Sequence, residues 1–198
     1  APGTFIYSTK SSLTSGTSDY TYMSGTSMAT PIVAGSAALI RQYYNDNEDY
    51  SNPSAALIKA TLINGAHDMA PGQYDLNYQE IDGRPDYSQG WGRVDIENSL
   101  FSQYPEVIAY FDKETIDNTG DFWEFDYGYI KEGEPLHATL VWTDFPAYEN
   151  AGKTLVNNLD LTITGSDDAY YGNGAPDTVN NVEGVEINET VAGDYNIR

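Results

Sequence analysis

The chain has 198 residues with no cysteine, and 30 acidic side chains against 9 basic ones leave a formal net charge of −21. A charge of that sign repels nucleic-acid phosphates and anionic membrane surfaces, which argues against both as partners. Without cysteine there is neither a disulfide framework nor a thiolate metal site.

Read from the beginning, "APGTFIYST" (1–9) lacks the charged start and long apolar stretch of a secretory leader and reads as the interior of a domain. "SGTSMATP" (24–31) then places Ser27 two residues after Gly25, at the entry to a helix expected over Thr30 to Tyr44. That helix is apolar nearly all round and carries Ala34, Gly35, Ala37 and Ala38, the composition of a helix buried among close neighbours. About a hundred residues could not surround it, so most of its partners are expected to lie outside this sequence. Pro31 falls early enough in this helix for its missing N–H to cost little. A second helix is expected in "NPSAALIKATLINGAHDM", with Asn52 and Pro53 as cap and first-turn residue.

Near residue 103 the chain changes character. "FWEFDYGYI", "HATLVWTDF", "TLVNNLDLTITG", "VEGVEIN" and "GDYNI" are β-branched and aromatic runs separated by turn residues, the signature of strands. The expectation is an α/β segment over 1–103 and an all-β unit over 104–198, joined through "SQYPEV" with Pro105 as an edge or linker residue. No apolar run reaches the roughly 18 residues that a membrane span needs. The sequon at Asn188 is compatible with export.

The Ser27 hydroxyl lies beside the free N–H groups and the positive dipole end of its helix, where developing negative charge is stabilised. Serine and threonine are also common helix caps, so Ser24, Thr26 or Ser27 could simply cap it. Those residues by themselves leave both readings open.

The longer run "GTSMATP" followed by "VAGSAAL" closely resembles the serine segment of the subtilisin-like proteases, the subtilases, with Ser27 at the nucleophile position. "APGTFIYST" is similar to the segment that precedes it in the family, and "QGWGRVDIENSL" (89–100) to the family's closing Gly-x-Gly-Arg-Val-Asp segment. "ATLVWTDFPA" and "TLVNNLDLTITG" resemble the C-terminal β-barrel of the alkaline, oxidant-resistant branch. The resemblance implies a subtilisin-like α/β core fragment followed by a jelly-roll-like barrel. It implies a secreted or cell-surface endopeptidase acting on proteins or peptides, with Gly25, Thr26 and Ser27 at the oxyanion and substrate site.

In the family, an aspartate orients a histidine, which takes the serine proton; an asparagine completes the oxyanion hole, and an acyl-serine forms and is hydrolysed. The family order is Asp, His, Asn, Ser, so the first three are expected upstream, on an N-terminal part of the same protease. The chain alone is then expected to be inactive. His67 and His137 match no family base. An α/β-hydrolase elbow requires Gly two residues after the serine, where this chain has Ala29. Met28 follows the nucleophile as in relatives, and its oxidation would set a polar oxygen beside Ser27. The other class of reading is an accessory or binding module that stabilises a protease core or contacts substrate.

If "TLVNNLDLTI" is a strand, Asn158 and Asp160 project from one face. With Asp144 arriving from a neighbouring strand, and with Glu183 and Asn181 of "NNVEG", they offer hard oxygen donors suited to Ca²⁺. The resemblance adds that relatives bind calcium near these segments. Since "AGDYNIR" stops short of the family's last strands, an unpaired edge is expected there.

Overall fold

The helix that carries Ser27 begins four residues earlier than its apolar run suggests. In a computed structural model describing residues 1–11, 13, 19–46, 51–72, 80–81, 83–101 and 107–198, α1 spans Thr26–Asn45. The earlier start puts Pro31 in the second turn, where its missing N–H deprives the Ser27 carbonyl of its usual intrahelical donor. The low cost expected for Pro31 is corrected accordingly. Ahead of α1, β1 (Ile6–Thr9) and β2 (Tyr20–Met23) form an antiparallel pair that delivers the chain to the helix.

Ser36, Ile40 and Tyr44 recur every four residues and form the buried stripe of α1. It faces α2 (Ala55–Asn64) and α3 (Ile96–Leu100), with Ile40, Tyr44, Leu57 and Leu100 as the buried cluster. Burial all round is not what the described residues provide: Ile32, Val33 and Leu39 are exposed. The cap of α2 is also corrected, from Asn52 and Pro53 to Ser54, whose hydroxyl accepts the Leu57 N–H at 3.0 Å. Asn52 instead takes a left-handed conformation, φ 61°, and donates its N–H to Asn45 Oδ1.

Of the expected joint at 102–107, residues 102–106, Pro105 among them, lie outside the described residues. Beyond it come β3 (Phe125–Ile130), β4 (Leu136–Val141), β5 (Thr162–Thr164), β6 (Ala169–Tyr171), β7 (Val182–Ile187) and β8 (Gly193–Ile197). They form a four-stranded antiparallel sheet in the order β3-β8-β5-β6 and a separate ribbon, β4–β7. These are two sheets and no closed barrel, so a jelly-roll-like barrel is not what the described strands build. "GDYNI", expected to leave an open edge, is the inner strand β8 between β3 and β5; the edges are β3 and β6.

Alternation divides the ribbon into two faces. Leu136, Val185 and Ile187 face the sheet and join Ile130, Leu161, Ile163 and Tyr195 in a cluster of seven buried residues. At about 1.5–3 kcal/mol for each fully buried aliphatic side chain, this is the larger of the two apolar clusters described. The opposite face carries the pairs His137–Glu186, Thr139–Gly184 and Val141–Val182 and turns toward α2. Thr139 Oγ1 donates to Asn64 Oδ1 at 2.9 Å, and Trp91 lies against Gly184, where an added Cβ would come within 2.7 Å of the indole. The ribbon is thus a middle layer, with the sheet on one side and the helical segment on the other.

Candidate active site

The entry to α1 is built from two glycines in close contact. The Gly25 N–H donates to the Gly3 carbonyl at 2.7 Å. Gly25 holds φ 149°, ψ 169°, a conformation that only glycine adopts readily. Ser24 is drawn toward the hairpin, its hydroxyl accepting the Phe5 N–H at 2.9 Å.

No side chain caps α1: its N-cap is Gly25, and the Gly25 carbonyl accepts from Met28 at 3.0 Å and Ala29 at 3.4 Å. The capping reading of Ser24, Thr26 and Ser27 therefore falls. Among the described residues, the N–H groups of Thr26 and Ser27 donate to nothing and the Ser27 hydroxyl is without a hydrogen bond. Ser27 is exposed, Met28 behind it is half-buried, and the first turn holds no acidic residue to offset the helix dipole. The chemical content is a free hydroxyl with backbone donors beside it, poised to stabilise negative charge on an oxygen bound at Ser27.

Neither histidine serves it. The exposed His67 exchanges backbone hydrogen bonds of 2.8 Å with Arg93, and His137 is exposed on β4 opposite Glu186. Among the described residues, neither is hydrogen-bonded to Ser27.

The oxygens considered for calcium are each engaged by other partners in the chain. Of "TLVNNLDLTI" only Thr162 and Ile163 are strand, at the start of β5, so the alternation argued for Asn158 and Asp160 does not hold, although Asn158 Nδ2 donates to Asp160 Oδ1 at 3.2 Å. The Asp144 carboxylate accepts from Phe145 N at 2.8 Å, Val156 N at 2.6 Å, and Asn157 N and Nδ2 at 2.9 Å each. Desolvation, the largest single influence, raises its carboxyl, but the donors together outweigh it and hold the group below the usual range. Asn181 accepts from Lys59 Nζ at 3.3 Å and donates to the Trp142 carbonyl at 2.7 Å. Glu183 lies elsewhere, 2% exposed on the sheet-facing side of β7, accepting the Leu161 N–H at 2.5 Å. Burial pushes its carboxyl up, the Leu161 N–H opposes this, and the charges of Asp160 and Asp177 add to the rise. Among the described residues, no three His, Cys, Asp or Glu side chains gather as a metal site. With Asp144 saturated by N–H donors and Asn181 facing an ammonium, the set does not fit one calcium ion.

Sequence reasoning passed over Asp177. Burial raises its carboxyl, but donors from Asn180, Val179 and Asn173 outweigh this and leave it lowered. The signal available was Asp-x-x-Asn, a side chain that bonds to the backbone two and three residues on. A cleft of about 180 Å³ lined by Asp144, Thr154, Leu155, Val179, Asn180 and Asn181 adjoins these loops. It is smaller than the roughly 300–1,000 Å³ of ordinary ligand sites. Among the described residues, no helix is long and apolar enough to cross a membrane.

Residues 1–92 match the subtilase family. The chain is similar to the serine protease/ABC transporter B family protein tagA of Dictyostelium discoideum, 29% identical over 240 residues that cover 100% of this chain and 13% of tagA. The tagB protein of the same organism is 30% identical over 233 residues, 87% of this chain and 12% of tagB. A PII-type proteinase of Lacticaseibacillus paracasei is 34% identical over 105 residues, 50% of this chain and 5% of that protein. The chain thus spans 12–13% of the length of the first two relatives.

Proposed function

Because residues 1–92 match the subtilase family, we propose that Ser27 is the nucleophile of a serine endopeptidase. Its hydroxyl attacks the scissile carbonyl of a protein or peptide substrate, the acyl-serine forms as the amine leaves, and water releases the acid. The Ser27 N–H donates to the oxyanion, with Gly25 and Thr26 shaping the approach. The carrying observation is the exposed, uncapped Ser27 at the head of α1 with its own N–H unclaimed. The histidine, aspartate and side-chain oxyanion donor come, in this reading, from a preceding part of the same protease. The exposed Ile32, Val33 and Leu39 of α1 support further core packed around that helix. The reading places the protein outside the cell or on its surface, which the sequon at Asn188 supports.

Fluorophosphonate labelling of the full-length protein, compared with Ser27→Ala, tests this. Labelling and peptide cleavage are expected in the parent, with cleavage reduced about 10⁶-fold in the variant, the cost of removing a triad nucleophile. Equal labelling of both proteins would remove Ser27 from the mechanism.

A second reading concerns the β unit, which we assign as a stabilising module of the protease. The contact of the ribbon's outer face with α2 favours it over a ligand-binding role.

A further inference from the structure

We propose that Arg84 is an internal latch that makes the β unit and the helical segment open as one. The inference deepens the stabilising-module reading and does not depend on the chemistry of Ser27. The Arg84 side chain is 7% exposed, and its Nε lies 2.5 Å from Glu186 Oε1 on the outer face of β7. Its Nη1 donates to the Ala66 carbonyl, just past the end of α2, and at 3.4 Å to the Trp91 carbonyl. One guanidinium therefore joins the carboxylate of the β unit to two carbonyls of the family-matched segment, and its charge complements the C-terminal end of the α2 dipole.

Two observations set this contact apart. The other ion pairs among the described residues, Lys113–Asp112 and Lys131–Glu134, are 3.9 Å long, and their lysines are 59% and 80% exposed, so solvent screens them. Arg84 Nε, by contrast, is buried and makes no well-directed hydrogen bond. Glu186 meets it through charge, and without that carboxylate a buried cation is left uncompensated. Removing one member of a buried pair is far more damaging than replacing both by apolar groups of similar volume. Trp91 on Gly184 and Thr139 on Asn64 pack the same face of the ribbon, while the Glu186 side chain keeps 32% of its surface exposed, so the pair is buried on the arginine's side only.

The test is native-state hydrogen exchange on the full-length protein and its Glu186→Met, Arg84→Met and double variants, read at the end of α2 and along β4 and β7. In the parent, these segments should exchange through one common opening. Glu186→Met should speed exchange of both segments together by at least tenfold, and the double variant should return to within about threefold of the parent. The single variant's defect should shrink in 0.5 M salt without vanishing, since Arg84 is buried while Glu186 is partly exposed. Should Glu186→Met fail to fold, Glu186→Gln is read in its place, with the same sign and a smaller change. A double variant as fast as Glu186→Met, or acceleration confined to β7, overturns the latch while leaving the module reading intact. Separate openings of α2 and β7 in the parent overturn both.

Discussion

Gly3 and Gly25 touch backbone to backbone: a Cβ on Gly3 would lie 2.4 Å from the Gly25 carbonyl oxygen, and the Gly25 N–H is 2.7 Å from the Gly3 carbonyl. The segment at the start of the chain thereby sets the residue from which α1, and with it Ser27, departs.

Gly3→Ala should push Gly25 away from this contact. Because the obstacle is backbone, no side chain can swing aside, and a loss of about 1–3 kcal/mol is expected from overpacking. Thermal unfolding of the full-length protein should show the lower Tm. On the proposed function, turnover should fall with it, because the Ser27 hydroxyl and N–H move together. An unchanged Tm and an unchanged cleavage rate would mean that the loop adjusts freely.

Asp144 is an anchor for the 156–157 backbone, and this separates it from a calcium ligand. Asp144→Ala should lower Tm by the same amount in EDTA and in millimolar calcium. A loss seen only when calcium is present would restore the ligand reading. The lowered carboxyl of Asp144 also fixes the direction with pH. Its contribution is present above the ordinary aspartate value of 3.8 and is lost as pH falls through the lower folded value. Asp144→Ala and parent should therefore converge in Tm in strong acid.

Glu183 behaves in the opposite sense. Its folded-state carboxyl is raised above the ordinary 4.5, so its contribution is fully present below 4.5 and is lost as pH rises through the folded value. Glu183→Gln keeps an oxygen for the Leu161 N–H and removes the buried charge. At neutral pH it should raise Tm, by about 2–4 °C per kcal/mol gained. The parent's loss of stability just above pH 4.5 should flatten in the variant. Identical pH profiles would assign the burial of Glu183 no electrostatic cost.

Local pattern carried part of this architecture. The existence of α1 and α2 and of strands in "FWEFDYGYI", "HATLVWTDF", "VEGVEIN" and "GDYNI" was legible because apolar spacing and β-branched content act over a few residues. Boundaries were less so. Ser54 displaced Asn52 as cap because a hydroxyl within reach of Leu57 N decides a cap, and α1 began at Thr26 because Gly25 supplied the turn. The strand expected from Thr154 shrank to Thr162–Thr164 because Asp144, from another segment, holds the backbone at 156–157.

By itself, the sequence determined which serine stands at the head of a helix, that four of the runs beyond residue 103 hold strands, and which family residues 1–92 match, since these rest on residues close together in the chain. Only the tertiary structure decided that Ser27 is uncapped, that β8 is an inner strand, that the calcium oxygens point to different partners, and that Arg84 reaches Glu186. Each depends on contacts between residues far apart in the chain, and strand order and side-chain pairing are settled by burial and charge after the local elements exist.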